Sequence, residues 1–137
     1  MPNTDLILRV EALNVDSIKR VLIVEDNQIN AIVLKRILQK YKFDTLVAED
    51  GKLGLEAVST YNPDLILMDI QMPVMNGIDA TIAIRKLDNF KNTPIFAVTA
   101  DITDETQKNS ISAGMNEYIK KPVEIDELLK LILDYLS

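Results

Sequence analysis

The 137-residue sequence contains no cysteine and no histidine. Without cysteine it cannot form disulfides, thiolate metal sites or a thiol nucleophile. Without histidine it has no Ser-His triad, no histidine-ligated zinc and no phosphohistidine of its own. Any catalytic or metal-binding chemistry must therefore come from carboxylates, hydroxyls, amides and amines.

Basic residues and long apolar runs are also scarce. Lysine and arginine number 15 against 21 aspartates and glutamates, which gives a net charge of −6. A nucleic-acid surface needs clustered basic residues, so direct binding of nucleic acid is not expected. No run approaches the ~20 apolar residues of a membrane span, and residues 1–5 lack a signal-peptide pattern. The composition predicts one globular, cytoplasmic domain without direct membrane contact.

Five short apolar runs are typical of buried strands, and segments of helical periodicity separate them. This alternation predicts an α/β fold, a doubly wound five-stranded parallel sheet with helices on both faces. The predicted strands are 21–24, 45–48, 65–68, 95–98 and 117–119. In the helix after the first strand, the residues predicted to face the core are Ile29, Ile32, Val33, Ile37 and Tyr41.

Polar side chains follow four of these strands directly. Carboxyl ends of parallel strands meet at one edge of a sheet, where open α/β folds bind their ligands. Three acids, a hydroxyl and an ammonium would gather at that edge, a set suited to a divalent cation and a phosphoryl group. The residues are Glu25, Asp26, Asp69, Thr99 and a lysine at 120–121.

Residues 1–19 lie outside the alternating pattern. Leu6, Leu8 and Val10 alternate as in a strand, yet Leu6, Val10 and Leu13 also fit one face of a helix. We interpret the segment as a linker or ordered extension before a domain at 20–137. A partner-binding or dimerising segment is the alternative.

Four motifs occur in an order and spacing that resembles the receiver domain of bacterial-type two-component response regulators. They are Val21-Leu22-Ile23-Val24-Glu25-Asp26-Asn27, Met68-Asp69-Ile70-Gln71-Met72-Pro73-Val74-Met75-Asn76-Gly77, Val98-Thr99-Ala100 and Tyr118-Ile119-Lys120-Lys121-Pro122. The resemblance covers about residues 19–136 and is strongest to receivers of hybrid sensor histidine kinases. It implies a flavodoxin-like (βα)5 fold with sheet order 2-1-3-4-5. Asn76 stands where the family most often has aspartate, and an Asn-Gly pair tolerates the same turn.

The resemblance implies that Asp69 is the phosphoacceptor, a carboxylate nucleophile that receives a phosphoryl group from a histidine donor. Mg²⁺, or Mn²⁺ as a substitute, would be held by Glu25, Asp26, Asp69 and the backbone carbonyl of Gln71. Gln71 and Asp101 occupy two variable positions that tune phosphoryl lifetime in the family. The donor would be a histidine kinase or a histidine phosphotransfer protein, and the domain's own activity would be limited to self-phosphotransfer and autodephosphorylation.

The resemblance also implies a conformational switch. Thr99 and Lys121 would contact the phosphoryl group, with a cis peptide bond between Lys121 and Pro122. The Tyr118 ring would move inward as Thr99 is drawn to the phosphate. The face formed by the polar helix 104–113, the last strand and the last helix would report this change, and it is also a candidate homodimer surface.

Three other functions compete with this interpretation. A phosphatase of the haloacid dehalogenase type needs a second aspartate two residues after the nucleophile, where this chain has Gln71. A nucleotide or flavin binder needs a glycine-rich or hydroxyl-rich loop after the first strand, where this chain has the acidic Glu25-Asp26-Asn27. A degenerate receiver that acts as a non-phosphorylated interaction module remains the alternative, although all the residues needed for phosphorylation are present.

Overall fold

The computed structural model describes residues 4–101 and 103–137. It contains one parallel sheet in the order β2-β1-β3-β4-β5, so the predicted fold class and strand order are confirmed. The strands are β1 (Arg20–Val24), β2 (Asp44–Ala48), β3 (Leu65–Met68), β4 (Ile95–Thr99) and β5 (Glu117–Lys120). The α-helices are α1 (Thr4–Leu13), α2 (Gln28–Lys40), α3 (Gly51–Tyr61), α4 (Gly77–Arg85), α5 (Asp104–Ala113) and α6 (Ile125–Leu136). None of these helices is both long and apolar enough to cross a membrane.

The two faces of the sheet carry separate hydrophobic clusters. Successive β1 side chains alternate between them: Val21 and Ile23 join one cluster, and Leu22 and Val24 join the other. The first cluster is covered mainly by α2 and α6, and the second by α3 and α4. Because both faces are covered, the central strands are apolar except at Arg20 and Thr99, which lie at strand ends.

The cap of α2 determines which acid is available at the edge of the sheet. The Asn27 side chain accepts the Asn30 N–H at 3.0 Å and so begins the helix. Asp26 is therefore not needed as a cap, and its carboxylate is exposed. At the other end of the fold, Gly114 ends α5 in the left-handed conformation with φ of 112°, as the sequence predicts for a glycine at this position.

The predicted inward face of α2 is largely wrong. Ile29, Ile32 and Val33 are 73%, 47% and 51% exposed. Tyr41 is buried as predicted, and Ile37 is half-buried against the first cluster, but the other buried positions belong to a second apolar stripe. That stripe consists of Ala31, Leu34 and Leu38. Periodicity identifies the helix but cannot select between two apolar stripes, since the cap and the preceding strand set how the helix is rotated on the sheet.

The segment before β1 forms α1, which packs against α6. Val10 is fully buried in the first cluster. Just beyond the helix, the Asn14 amide donates to the Tyr41 carbonyl at 3.2 Å, and the Lys19 N–H donates to the Asn14 side chain at 2.8 Å. The extension is thus attached to the core over residues 4–19. Residues 1–3 lie outside the described residues, and the domain boundary near residue 19 stays a prediction.

Candidate functional site

Three acids meet where β1 and β3 end. Val24 lies opposite Met68 in the parallel register, so Glu25 and Asp69 follow on neighbouring strands. The Asp69 N–H donates to the Val24 carbonyl at 2.9 Å, and the Glu25 N–H donates to the Ala48 carbonyl at 3.0 Å. The sheet's own hydrogen bonding therefore fixes the backbone of both acids.

The carboxylate oxygens of Glu25, Asp26 and Asp69 lie within 4.8 Å of one another. Glu25 and Asp69 are only 3% and 7% exposed, whereas Asp26 is open to solvent. Carboxylates crowded in this way repel one another unless a cation or a proton offsets their charge. An all-oxygen donor set that is open on one side is the arrangement Mg²⁺ prefers, because that ion retains several waters.

Lys121 supplies the positive charge at this site. Its Nζ lies 2.6 Å from Glu25 Oε1 and 3.4 Å from Asp69 Oδ2. The Lys121 N–H donates to the Thr99 carbonyl at 2.9 Å, which continues the pairing of β4 with β5. The Lys121–Pro122 peptide bond is cis. Lys121 therefore contacts Asp69, but its shorter contact is to Glu25.

These contacts shift the pKa values of Asp69 and Glu25 in opposite directions. Burial, followed by the hydrogen bond and the charge of Glu25, raises the pKa of Asp69 to about 7. Burial alone would raise the pKa of Glu25, but hydrogen bonds from Asp69, Lys121 and the Asn27 N–H together lower it. Burial opposes the charged form of Lys121, yet the two carboxylates raise its pKa overall. Burial beside Glu25 therefore favours the neutral form of Asp69 more than solvent would.

The two residues predicted to act as the switch lie on neighbouring strands. Thr99 is 1% exposed, and its Oγ1 accepts the Asp101 N–H at 3.2 Å. Tyr118 packs against the second hydrophobic cluster, and its buried hydroxyl has no hydrogen-bond partner among the described residues. Burial, and then the charge of Asp101, raise the pKa of Tyr118. Tyr118 lies opposite Ala97 of β4, two positions before Thr99.

The loop between β3 and α4 packs closely against Asp69. A Cβ at Gly77 would come within 2.1 Å of the Asp69 carbonyl oxygen, so only glycine fits there. The Gly77 N–H donates to the Ile70 carbonyl at 2.9 Å and closes the loop. Within the loop, Val74 has φ of 68°, an uncommon conformation for a β-branched residue.

The sequence interpretation missed a hydrogen-bonded cluster around Asp101. The Asp101 carboxylate accepts hydrogen bonds from Gln71, Thr103 and Thr106. Thr103 is also the N-cap of α5, because its hydroxyl accepts the Thr106 N–H at 3.3 Å. The spacing Asp-x-Thr-x-x-Thr is a local sign of such a cap, but the contact from Gln71 arises only in the folded chain.

Comparison with known proteins agrees with this geometry. The family model described as the response regulator receiver domain matches residues 21–133. Autoinducer 2 sensor kinase/phosphatase LuxQ of Vibrio vulnificus is 43% identical over 116 residues, which cover 85% of this chain but 13% of LuxQ. The polar-differentiation response regulator DivK of Brucella anthropi is 31% identical, over 87% of this chain and 97% of DivK.

A solved structure gives the same result. The receiver domain of sensor histidine kinase PA1611 from Pseudomonas aeruginosa, with a magnesium ion coordinated in its active-site cleft, is 32% identical with a TM-score of 0.82. The match covers 88% of this chain and 98% of that domain. The resemblance predicted from the four motifs is confirmed, including the relation to receivers of hybrid kinases. The chain therefore belongs to the response regulator receiver domain family of two-component signalling.

Proposed function

We propose that this chain is the phosphoacceptor module of a two-component phosphorelay and that Asp69 receives the phosphoryl group from a histidine donor. Receiver domains interact with histidine kinases or phosphotransfer proteins, and they bind Mg²⁺ at an acidic site. One observation carries the assignment to Asp69. Its nearly buried carboxylate lies beside two further acids and keeps only the longer contact to the Lys121 ammonium, at 3.4 Å, whereas Glu25 pairs with that ammonium at 2.6 Å.

The transfer needs few groups from the protein. An Asp69 oxygen attacks the phosphorus in line, an O–P bond forms as the donor's N–P bond breaks, and the electron pair returns to the donor imidazole. Asp69 must be ionised to attack. Its raised pKa disfavours the ionised form, and the Lys121 ammonium and a bound cation counteract that shift. Lys121 then pairs with the transferred group, and the Thr99 hydroxyl donates to one of its oxygens.

The acidic site fits Mg²⁺. The ion would be held by Glu25, Asp26, Asp69 and the backbone carbonyl of Gln71, with Mn²⁺ as a substitute. When bound, it supplies positive charge that offsets the crowded carboxylates and the charge that develops on the phosphoryl oxygens. The exposed Asp26 leaves the outer side of the site open to water and to the incoming group.

A surface beside the site suits a protein donor. A groove of about 500 Å³ runs between α2 and the segment after β5, and Glu25 and Lys121 line both the groove and the site. Its walls include Val33 and Pro122, both exposed, and Ile29 and Ile32 expose further apolar surface on α2. Exposed apolar surface of this kind marks a site for another protein rather than a small polar ligand.

The state of Asp69 would be reported by the face formed by α5, β5 and α6. In α5, only Ser110 is buried, so this helix has few apolar anchors and can shift at low free-energy cost. The face also exposes Ile111, at 62%. Beryllofluoride with Mg²⁺, a mimic of the phosphoryl group, should change amide exchange at α5 and Tyr118. Changes confined to the loops around Asp69 would contradict the switch while leaving the chemistry intact.

The direct experiment is incubation with a small phosphodonor and Mg²⁺, read by intact mass. Wild-type protein should gain one phosphoryl group, and Asp69→Asn should gain none. Asp16→Asn, at an exposed position in the segment before β1, is the matched control and should react like wild type. A variant Asp69→Asn that is phosphorylated at wild-type yield would show that the nucleophile is misassigned. Wild-type protein that accepts no phosphoryl group from small donors or histidine donors would favour the degenerate receiver.

A further inference from the structure

The helix α5 is held mainly at its two ends. Of its residues, only Ser110 is buried, and that hydroxyl donates to the Thr106 carbonyl of the same helix. At the C-terminal end, the Arg85 guanidinium donates to the Gly114 carbonyl from Nε at 3.0 Å and from Nη2 at 2.8 Å. The polar contacts at the N-terminal end therefore help to set how freely the helix moves relative to the sheet.

Those N-terminal contacts converge on one carboxylate. Asp101 Oδ1 accepts the Thr103 N–H and the Thr103 hydroxyl, each at 2.9 Å. Asp101 Oδ2 accepts the Thr106 hydroxyl at 2.9 Å and the Gln71 amide at 3.4 Å. Thr103 and Thr106 form the cap of α5, so Asp101 holds the first turn of the helix to the loop that follows Asp69.

The same residue contacts the switch hydroxyl through its backbone. The Asp101 N–H donates to Thr99 Oγ1 at 3.2 Å. Thr99 is 1% exposed, and a rotation of its side chain toward a new partner would move Oγ1 and change this contact. Asp101 thus forms hydrogen bonds with two residues of the site, Thr99 and Gln71. It also forms hydrogen bonds with two residues of the α5 cap, Thr103 and Thr106.

We propose that Asp101 is a positioning residue that couples the phosphoryl site to the first turn of α5. The inference rests on the proposed function and deepens it by naming a route of its regulation. When the Thr99 hydroxyl donates to a phosphoryl oxygen, its oxygen moves relative to the Asp101 N–H. The Asp101 carboxylate carries that displacement to the cap of α5. The first turn of α5 therefore has two conformations, and phosphorylation of Asp69 changes their relative populations.

The coupling can be measured first in the unphosphorylated protein. The amides of Thr106 and Gln107 report the first turn, because they donate to the Thr103 hydroxyl and carbonyl. Asp101→Ala should speed their hydrogen exchange by about fivefold or more, the lower end of typical coupling between sites. Asp104→Asn, which removes one negative charge from the same turn, should change exchange by less than about twofold. Equal exchange in Asp101→Ala and wild type would overturn the proposal.

A double-mutant cycle then tests the link to Thr99. Thr99→Ala removes the acceptor of the Asp101 N–H and should speed exchange at Thr106 and Gln107 in the native background. In the Asp101→Ala background it should have no further effect at these amides. Thr99→Ser keeps the hydroxyl and should restore slow exchange, which separates the contact from a general loss of stability. Equal effects of Thr99→Ala in both backgrounds would contradict the coupling.

The final arm uses Mg²⁺ with beryllofluoride or a small phosphodonor. In wild type, the exchange of the Thr106 and Gln107 amides should change. In Asp101→Ala, the exchange response to Mg²⁺ with beryllofluoride, which does not depend on the lifetime of a phosphoryl group, should fall below about twofold. An undiminished response in this variant would overturn the proposal. If wild type takes no phosphoryl group, the proposed function fails, whereas the cycle in the free protein still decides whether Asp101 links Thr99 to α5.

Discussion

The Lys121 ammonium lies 2.6 Å from Glu25 Oε1, its closest carboxylate contact in the site. Asp69, the proposed nucleophile, receives the longer contact of 3.4 Å. Lys121 therefore offsets the charge of Glu25 more than that of Asp69, which agrees with the opposite pKa shifts of the two acids. In the free protein, Lys121 therefore offsets only part of the negative charge of the buried Asp69.

Without metal, Asp69→Asn should stabilise the protein, and the gain should depend on pH. The pKa of Asp69 rises from 3.8 to about 7 on folding. Its ionisation therefore lowers stability progressively as pH rises from about 4 to about 7, and the loss is complete above that range. Melting with a chelator at pH 8 should show Asp69→Asn higher by about 5 °C or more.

Below about pH 4 the advantage of Asp69→Asn should largely disappear, because Asp69 is then protonated in both the folded and the unfolded wild type. Asp26→Asn should give a smaller gain than Asp69→Asn, since Asp26 is exposed. Asp16→Asn, away from the site, should shift the melting temperature by no more than about 2 °C. A lower melting temperature for Asp69→Asn at pH 8 would count against repulsion among the acids.

Mg²⁺ should raise the melting temperature of the wild type, since a ligand that binds only the folded state stabilises it by mass action. Asp26→Asn should require a higher Mg²⁺ concentration for the same increase, and Asp26→Ala should nearly remove the response. A calorimetric or fluorescence titration measures both changes. Unchanged affinity in Asp26→Ala would exclude Asp26 as a ligand.

Lys121→Gln should destabilise the protein near pH 7 by about 2–4 kcal/mol, because it leaves the buried Glu25 carboxylate without its ionic partner. The deficit should shrink as the pH is lowered and Glu25 takes up a proton. Chemical denaturation at pH 7 and at pH 4.5 tests this dependence. Lys120→Gln, at the exposed neighbouring position, is the control, and an equal effect of the two variants would refute the specific role of Lys121.

Tyr118→Phe should leave stability unchanged or raise it by up to about 1 kcal/mol, because the buried Tyr118 hydroxyl has no hydrogen-bond partner among the described residues. Tyr61→Phe is the matched control, since the Tyr61 hydroxyl donates to Asp44 Oδ2 at 2.8 Å. That variant should lose about 1 kcal/mol. Denaturant titrations compare the two, and a clear loss in Tyr118→Phe would imply a partner for its hydroxyl.

The sheet and the site edge could be predicted because they depend on local pattern. Four of the five predicted strands are apolar runs that end directly before a polar residue of the candidate site, such as Asp69 after Met68 and Thr99 after Val98. Parallel pairing then requires these ends to meet at one edge. Strand order followed from the family resemblance rather than from periodicity, and the structure confirms it.

The remaining features depend on tertiary geometry. The rotation of α2 on the sheet selects Leu34 and Leu38 over Ile29 and Ile32, although both pairs fit an apolar stripe. The Lys121 Nζ lies less than 1 Å closer to the Glu25 carboxylate than to the Asp69 carboxylate. No spacing in the sequence predicts so small a difference. The Asp101 side chain connects the loop after β3 with the loop after β4. The sequence predicts only the local cap of α5, because the contact with Gln71 forms only in the folded chain.

The parts of the acidic site are far apart along the chain. Lys121 is 96 positions from Glu25 and 52 from Asp69, and these residues become neighbours only through the crossovers that place β1 beside β3. An incompletely folded copy carries Asp69 but neither the adjoining acids nor the ammonium. If Asp69 accepts a phosphoryl group as proposed, such a copy would not be phosphorylated, and the yield of phosphorylation would follow the population of native molecules rather than the total amount of chain.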